Sequence, residues 1–130
     1  AHIAAAPVLM PQTRPRDADS WREWLGGPER LALIAWRNGR AAGYIKAQEA
    51  QMDVSYAVHD PRTLAINGLF VEPACRGEGV GRALLAELAS RSQQSGRNLV
   101  SVDCETTNLE AFGFWTRWFR PVTWSLERRV

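Results

Sequence analysis

The 130-residue sequence has only two cysteines and two histidines, which are common ligands of metal centres and common members of nucleophilic sites. It contains two cysteines, Cys75 and Cys104, and their spacing is not that of a metal-binding motif. One falls in a predicted turn and the other in a predicted strand, which favours reduced intracellular thiols over a disulfide. The sequence therefore predicts no metal site, and no catalytic nucleophile stands out.

Long apolar runs and a strong charge of either sign are also missing. No stretch approaches the roughly 18 apolar residues that span a membrane, and the apolar segment 1–10 is broken by Pro7 and lacks a basic leader. The net charge is only +2 and the arginines are scattered, so no nucleic-acid partner is predicted. We expect a single cytoplasmic domain, in which residues 1–18 are poorly structured or incomplete and residues 19–130 form the core.

Periodicity and turn residues predict helices that alternate with strands. The first half is predicted to contain a helix at 21–25, a hairpin of strands 31–36 and 41–48 around Asn38-Gly39 with a bulge at Gly43, a short strand at 54–58 and a strand at 63–71. The next helix ends at Gly96 and carries Leu84, Leu85, Leu88 and Ala89 on its buried face. A strand at 98–104, a helix at 108–118 capped by Thr106 or Thr107, and a strand at 121–127 complete the prediction. Short connections imply antiparallel neighbours, whereas helical crossovers imply a parallel pair. The predicted fold class is α/β, with a mixed, mainly antiparallel sheet flanked by helices.

The most informative stretch is the end of strand 63–71 and the glycine-rich turn after it. Pro73 has no N–H and ends the strand, and glycines at 77, 79 and 81 open the next helix. The first turn of a helix leaves N–H groups unpaired and favours negative charge, and glycines let the backbone approach a diphosphate closely. A purely structural turn explains the glycines equally well.

Two nucleotide-binding motifs are excluded at this turn. A P-loop needs Lys-Ser/Thr after its last glycine, but Arg82 and Ala83 follow Gly81. A Rossmann turn needs Gly-x-Gly-x-x-Gly, whereas the glycines here are spaced Gly-x-Gly-x-Gly.

The pattern that fits is Arg-x-x-Gly-x-Gly at Arg76, Gly79 and Gly81, preceded by Leu-x-Val-x-Pro at 69–73. It resembles the acyl-CoA-binding motif of the GNAT superfamily of N-acyltransferases. A second family signature, roughly Asn-x-x-Ala-x-x-Phe-aromatic with a further Phe, is matched by Asn108, Ala111, Phe114, Trp115 and Phe119.

The resemblance implies a GNAT-type fold that binds acetyl-CoA without a metal and transfers the acetyl group to an amine. It implies direct attack in a ternary complex, since no nucleophile stands out. The acceptor is then a small-molecule or peptide amine, a homodimer is an open alternative, and no nucleic-acid or membrane partner is expected. The implied donor-binding residues are Leu69, Phe70, Val71, Arg76, Gly77, Glu78, Gly79, Val80, Gly81, Arg82, Asn108, Ala111, Phe114 and Trp115.

Four features depart from the family, one of which is Trp118 in place of the usual glycine before Phe119, so the last helix is expected to end differently. Residues 1–15 contain three prolines and cannot supply both the first strand and the first helix, so the first strand is expected to be missing. Asn67 and Ala65 stand on the strand face, shared with residue 69, where relatives often place a glutamate base. Trp115 replaces a tyrosine that often protonates the leaving thiolate, and an indole N–H is not a useful acid.

These departures keep two rival interpretations open: a non-catalytic acyl-CoA-binding or regulatory module, and a fragment completed by another chain. Within the enzyme interpretation, Asn67 holding a water is the weak catalytic candidate. Glu72 is better explained as a surface residue, His59 as a turn residue and Cys104 as a small buried hydrophobe. An aromatic acceptor pocket formed by the tryptophans of helix 21–25 remains open.

Overall fold

The computed structural model describes residues 18–50 and 60–124, which form a four-stranded sheet with helices packed on it. The elements are α1 (Ala18–Leu25), β1 (Arg30–Arg37), β2 (Arg40–Glu49), β3 (Thr63–Val71), a 3₁₀ turn (Pro73–Cys75), α2 (Val80–Gln94), β4 (Leu99–Val102) and α3 (Leu109–Trp115). The strand predicted at 54–58 and the segment predicted to lack a first strand lie outside the described residues. None of the described helices is long and apolar enough to cross a membrane.

The strand order is β1-β2-β3-β4, with two antiparallel pairs followed by the parallel pair of β3 and β4. The hairpin between β1 and β2 turns at Asn38 and Gly39, whose φ angles are 49° and 75°. Positive φ at both central residues is what the tightest two-residue hairpins need, and Asn-Gly adopts it readily. The parallel pair follows from α2, which crosses over between β3 and β4. The predicted mixed, mainly antiparallel sheet is confirmed.

One face of the sheet packs against α2 and forms the hydrophobic core. The core residues are Ile45, Ala47, Leu64, Ile66, Leu84, Leu88 and Trp115. The buried positions of α2 are Leu84, Leu88 and Ser92, at a spacing of four, so the prediction that Ala89 shares this face is wrong. Gly96, with φ of 78°, follows the helix as predicted.

Two β-bulges alter the alternation of side chains along the sheet. The register of β1 and β2 shifts from Ala35↔Gly43 to Trp36↔Ala41, which places the extra residue next to Gly43, as the sequence predicts. The register of β2 and β3 shifts between Lys46 and Ala47, so Asn67 is the extra residue of β3.

The bulge at Asn67 corrects the prediction that residues 65, 67 and 69 share one face. Leu69 lies opposite Ile45 and packs against the core, whereas Ala65 lies opposite Gln48 on the other face. An inserted residue reverses the alternation of side chains, and no period-two pattern in the sequence indicates it.

The last third of the chain differs from the prediction at its element ends. Asn108, and neither threonine before it, caps α3, because its Oδ1 accepts a hydrogen bond of 3.1 Å from the Ala111 N–H. The helix ends at Trp115, where the Thr116 hydroxyl donates to the Phe112 carbonyl at 2.8 Å. β4 is shorter than predicted, because its pairing with β3 stops at Val102.

The described part of the predicted last strand, residues 121–124, has no regular secondary structure, so that prediction is wrong there. Pro121 has no N–H to donate, and no described strand pairs with this segment.

Candidate active site

Strand β4 pairs with only the first part of β3. Their parallel pairing runs from Thr63↔Leu99 to Ile66↔Val102, after which β4 ends and β3 continues to Val71. Asn67 is therefore both the bulged residue and the first residue of β3 beyond the pairing, and it is exposed. Within the described part of the chain, residues 67–71 have no strand partner on the β4 side, so this edge offers backbone groups to an extended ligand.

The glycine-rich turn lies at the carboxyl end of this unpaired stretch. Gly77 and Gly79 have φ angles of 77° and 85°, and a Cβ built at either position meets nothing within 4 Å. They are needed for backbone conformation, and the space above them is open. Gly79 is the N-cap of α2 and has no side chain to cap the helix. The N–H groups of the first turn are therefore left for water or an anion.

The charged side chains of the turn mostly bind other protein groups. The Arg76 guanidinium donates to the Val71 carbonyl at 3.1 Å and pairs with Glu110 at 3.2 Å, so it ties the turn to β3 and α3. Arg82 lies on the first turn of α2, is exposed, and approaches the Trp118 ring to 5.9 Å. Arg82 is thus better placed than Arg76 to meet an anion at the helix start.

Gly81 brings the two sequence motifs together. A Cβ at this position would lie 3.4 Å from the Phe114 ring and 3.7 Å from a Val71 methyl group. The start of α2 therefore packs between the end of β3 and the side of α3. Ala111 is half-buried against the same core.

Two residues of the second motif have structural partners within the protein. Trp115 is 7% exposed, and its ring packs edge-on against Phe114 and Phe119 at 5.0 and 5.5 Å between centroids. The Asn108 side chain caps α3. The structure therefore places both residues in the framework formed by α3 and the core.

The opposite face of the sheet carries an aromatic cluster of Trp21, Trp24, Tyr44 and Phe70. Trp21 from α1 packs edge-on against Tyr44 of β2 at 5.1 Å between centroids. Tyr44 lies 6.1 Å from Phe70, which belongs to the unpaired stretch of β3. The cluster therefore connects α1 with the strand edge beside the glycine turn.

Lys46 lies within this aromatic cluster. Its Nζ is 5.0 Å from the Trp21 ring centroid and 4.8 Å from that of Trp24, and the residue is only 8% exposed. A Cβ on Gly68 would come within 2.8 Å of the Lys46 Cε, so the lysine stem lies across the residue next to the bulge. The alternation of Tyr44, Lys46 and Gln48 with apolar residues indicates a second sheet face, but sequence reasoning missed these residues as part of the site.

The sequence offers three weaker catalytic candidates, Glu72, His59 and Cys104. Glu72 is exposed, as predicted, and His59 lies outside the described residues. Cys104 is half-buried against the core; burial, and then Asp103 and Glu105, raises the pKa of its thiol. A thiol that resists ionisation is a poor nucleophile.

The turn that leads into β3 is held by a local ion pair. Hydrogen bonds from the Arg62 side chain and backbone N–H lower the pKa of Asp60 to about 2. Among residues 18–50 and 60–124, no cluster of three His, Cys, Asp or Glu side chains is placed to hold a metal ion.

The model of the acetyltransferase (GNAT) family matches residues 3–119 of the chain. The chain belongs to the GNAT acetyltransferase family. The match includes both motifs and the aromatic cluster. None of the curated protein sequences compared with the chain matches it.

Solved GNAT structures share the fold. AAC(6')-Iy in complex with the bisubstrate analogue CoA-S-monomethyl-acetylneamine is 23% identical, with a TM-score of 0.73 over 87% of this chain and 76% of that one. The aminoglycoside 6'-N-acetyltransferase AAC(6')-Ig from Acinetobacter haemolyticus is 18% identical, with a TM-score of 0.74 over 86% and 77% of the two chains. A tetramutant of the BH1408 protein from Bacillus halodurans is 17% identical, with a TM-score of 0.75 over 88% of this chain and 75% of that one.

Proposed function

We propose that the protein transfers the acetyl group of acetyl-CoA to an amine by direct attack within a ternary complex. The observation that carries this proposal is that an unpaired strand edge leads directly into a glycine-rich turn. Among the described residues, β3 has no strand partner on the β4 side after Ile66, and it leads into a glycine turn that opens a helix without a side-chain cap. Family membership and the CoA-derived ligands of AAC(6')-Iy structures support acetyl-CoA as the donor.

The donor is proposed to run along the unpaired edge of β3 and to end on the glycine turn. Its diphosphate accepts hydrogen bonds from the backbone of residues 77–81, with Arg82 adding a charge-assisted bond. The pantetheine amides pair with the backbone of residues 69–71 as an added strand would. An N–H of Phe70 or Val71 polarises the thioester carbonyl.

The second motif is proposed to act mainly behind the donor. Phe114 touches the position of Gly81 and so shapes the start of α2, and Ala111 packs against the same core. Asn108 and Trp115 orient α3 through the cap and the core contacts. We therefore expect substitution of these residues to change donor affinity through the position of α2.

The acceptor amine is proposed to approach from the face that carries the aromatic cluster. Phe70 belongs both to this cluster and to the unpaired stretch of β3, so an amine bound there lies beside the thioester. The amine must lose a proton, and residues 67–71 contain no carboxylate or imidazole. Asn67 is exposed at the bulge and is proposed to hold the water that accepts this proton.

The proposed activity is tested by acetyl-CoA-dependent release of free thiol with a panel of amines. The panel compares aminoglycosides, which the similar solved enzymes are named for, with polyamines, amino acids and peptide N-termini. We expect at least one class to raise thiol release clearly above the hydrolysis of acetyl-CoA alone. Mass spectrometry of the product must show the added acetyl group on the amine.

The alternative function is a non-catalytic acyl-CoA-binding module. It is favoured by one observation: Asn67 and a buried Trp115 stand where relatives often have a base and an acid. Calorimetric binding of CoA without turnover of any amine would support this alternative. Absence of CoA binding would contradict both functions.

A pH profile tests the role of the water at Asn67. An enzyme without a tuned base depends on the neutral fraction of its amine, so kcat/KM should rise with pH toward the pKa of each amine used. Two amines of different pKa should give two different profiles, and Asn67→Ala should lower kcat/KM only about threefold. One shared apparent pKa of roughly 6 to 7 for both amines would instead indicate a side-chain base.

A further inference from the structure

Glu78 is an unexpected residue for a turn that binds a diphosphate. It lies between Gly77 and Gly79, whose positive φ angles define the turn. A carboxylate in this position repels a bound diphosphate, and the low dielectric of a filled site strengthens the repulsion. The proposed function therefore requires that the charge of Glu78 be compensated.

The compensating charge comes from the far end of the first hairpin. Arg37, the last residue of β1, forms an ion pair with Glu78 through its guanidinium. The two residues are 41 positions apart in the chain, and the pair bridges an open groove of about 820 Å³ between the hairpin and the turn.

The direction of this ion pair matters for the site. β1 lies two strands away from β3, on the side opposite β4. Glu78 therefore extends away from the opening between β3 and β4, while the backbone of the turn remains at the end of β3. Since the two side chains are 48% and 44% exposed, the pair contributes little to folding stability. Its effect should be visible in ligand binding.

We propose that Arg37 is a positioning residue for the donor, which holds the Glu78 carboxylate away from the diphosphate and neutralises it. The inference rests on the proposed function, because it concerns the same donor site. Arg76 holds the other side of the turn through Val71 and Glu110. The turn is thus fixed from two sides by arginines, and among residues 18–50 and 60–124 Arg37 is the one that pairs with a charge of the turn itself.

Calorimetry with CoA tests the inference in four variants. Arg37→Met leaves an uncompensated carboxylate, so the Kd of CoA should rise about tenfold. Glu78→Gln removes the repelling carboxylate itself, so the Kd should equal that of the wild type or fall by up to about threefold. The double variant Arg37→Met/Glu78→Gln should bind within about threefold of the wild type, because neither charge remains.

Arg91→Met is the matched control. Arg91 forms an ion pair of similar exposure with Glu87 at 2.7 Å, and both residues lie on α2, away from the turn. Breaking this pair should leave the Kd of CoA unchanged. Wild-type affinity in Arg37→Met would overturn the inference, and so would a double variant that binds as weakly as Arg37→Met, since that pattern indicates a purely structural tie. Failure of the wild type to bind CoA would instead reject the proposed function. Unchanged melting temperatures across the series are expected and separate binding from folding.

Discussion

The two sides of the proposed site are built in different ways. The donor side consists of one continuous stretch, residues 69–82, whose backbone groups are proposed to make most of the contacts with the donor. The acceptor side consists of side chains from α1, β2 and β3, which meet only in the folded protein. One side therefore depends on glycines with positive φ, and the other depends on aromatic contacts between distant elements.

This difference indicates which side tolerates change. A Cβ in the glycine turn would disfavour its positive φ angles and hinder the approach of an anion. Few sequences can therefore form this turn. The aromatic cluster can be repacked with side chains of other shapes and charges while the sheet is retained. Functional diversity on a common scaffold is expected at such side-chain surfaces. If the proposed function is right, we expect the cluster to select the acceptor and the turn to bind the donor.

The largest effect is expected when the donor turn is blocked. In Gly79→Val, a branched side chain enters open space above the first turn of α2, at a φ angle of 85°. CoA affinity should fall at least about tenfold, measured by calorimetry.

Gly96→Val is the matched control for backbone strain. Gly96 has a φ angle of 78° and equally open surroundings, but it lies at the other end of α2. Both variants should lose thermal stability, and only Gly79→Val should lose affinity. Equal CoA affinity in the two folded variants would contradict the placement of the diphosphate.

A smaller effect, confined to the other side, is expected for Trp21→Ala. The change removes the ring that packs on Tyr44 and Lys46. The kcat/KM for the amine should fall about fivefold, because aromatic contacts of this kind contribute about 1 kcal/mol. The Kd of CoA should stay unchanged. A parallel loss of donor affinity would show that the two sides are not separate.

The same contrast explains how much the sequence could predict. The glycine turn, the cap at Gly96 and the hairpin at Asn38-Gly39 were predictable, because each depends on a local backbone requirement. The mixed, mainly antiparallel pairing of the sheet followed from the short connections and the helical crossovers. These features position the donor side.

The features that escaped prediction depend on partners distant in sequence. The bulge at Asn67 exists because β2 and β3 change register there, and a single strand does not reveal it. The ion pair of Arg37 and Glu78 and the enclosure of Lys46 by two tryptophans likewise join residues far apart in the chain. The cap of α3 was misassigned, because Asn and Thr are both good caps and three candidates are adjacent.

A modest effect on both stability and donor binding is expected for Asn108→Ala. The change removes the acceptor for the Ala111 N–H at the start of α3. Unfolding free energy should fall by about 1 kcal/mol, measured by denaturant titration. The Michaelis constant for acetyl-CoA should rise slightly, since α3 supports α2 through Phe114. Asn108→Ser, which keeps a capping oxygen, should recover most of both losses.

The smallest effect is expected at Cys104. Because burial, with Asp103 and Glu105, raises the pKa of this thiol above its ordinary value of 9.0, it stays protonated at neutral pH and is a poor nucleophile. Its alkylation by iodoacetamide should be slow near pH 7 and should accelerate only above pH 9. Cys104→Ser should therefore change kcat by less than about twofold.

The raised pKa also implies that the fold loses stability as pH rises past 9, where the unfolded thiol ionises first, and that Cys104→Ser lacks this loss. A large drop in kcat in a stably folded Cys104→Ser, or a trapped acetyl-cysteine at residue 104, would replace direct attack with a covalent intermediate.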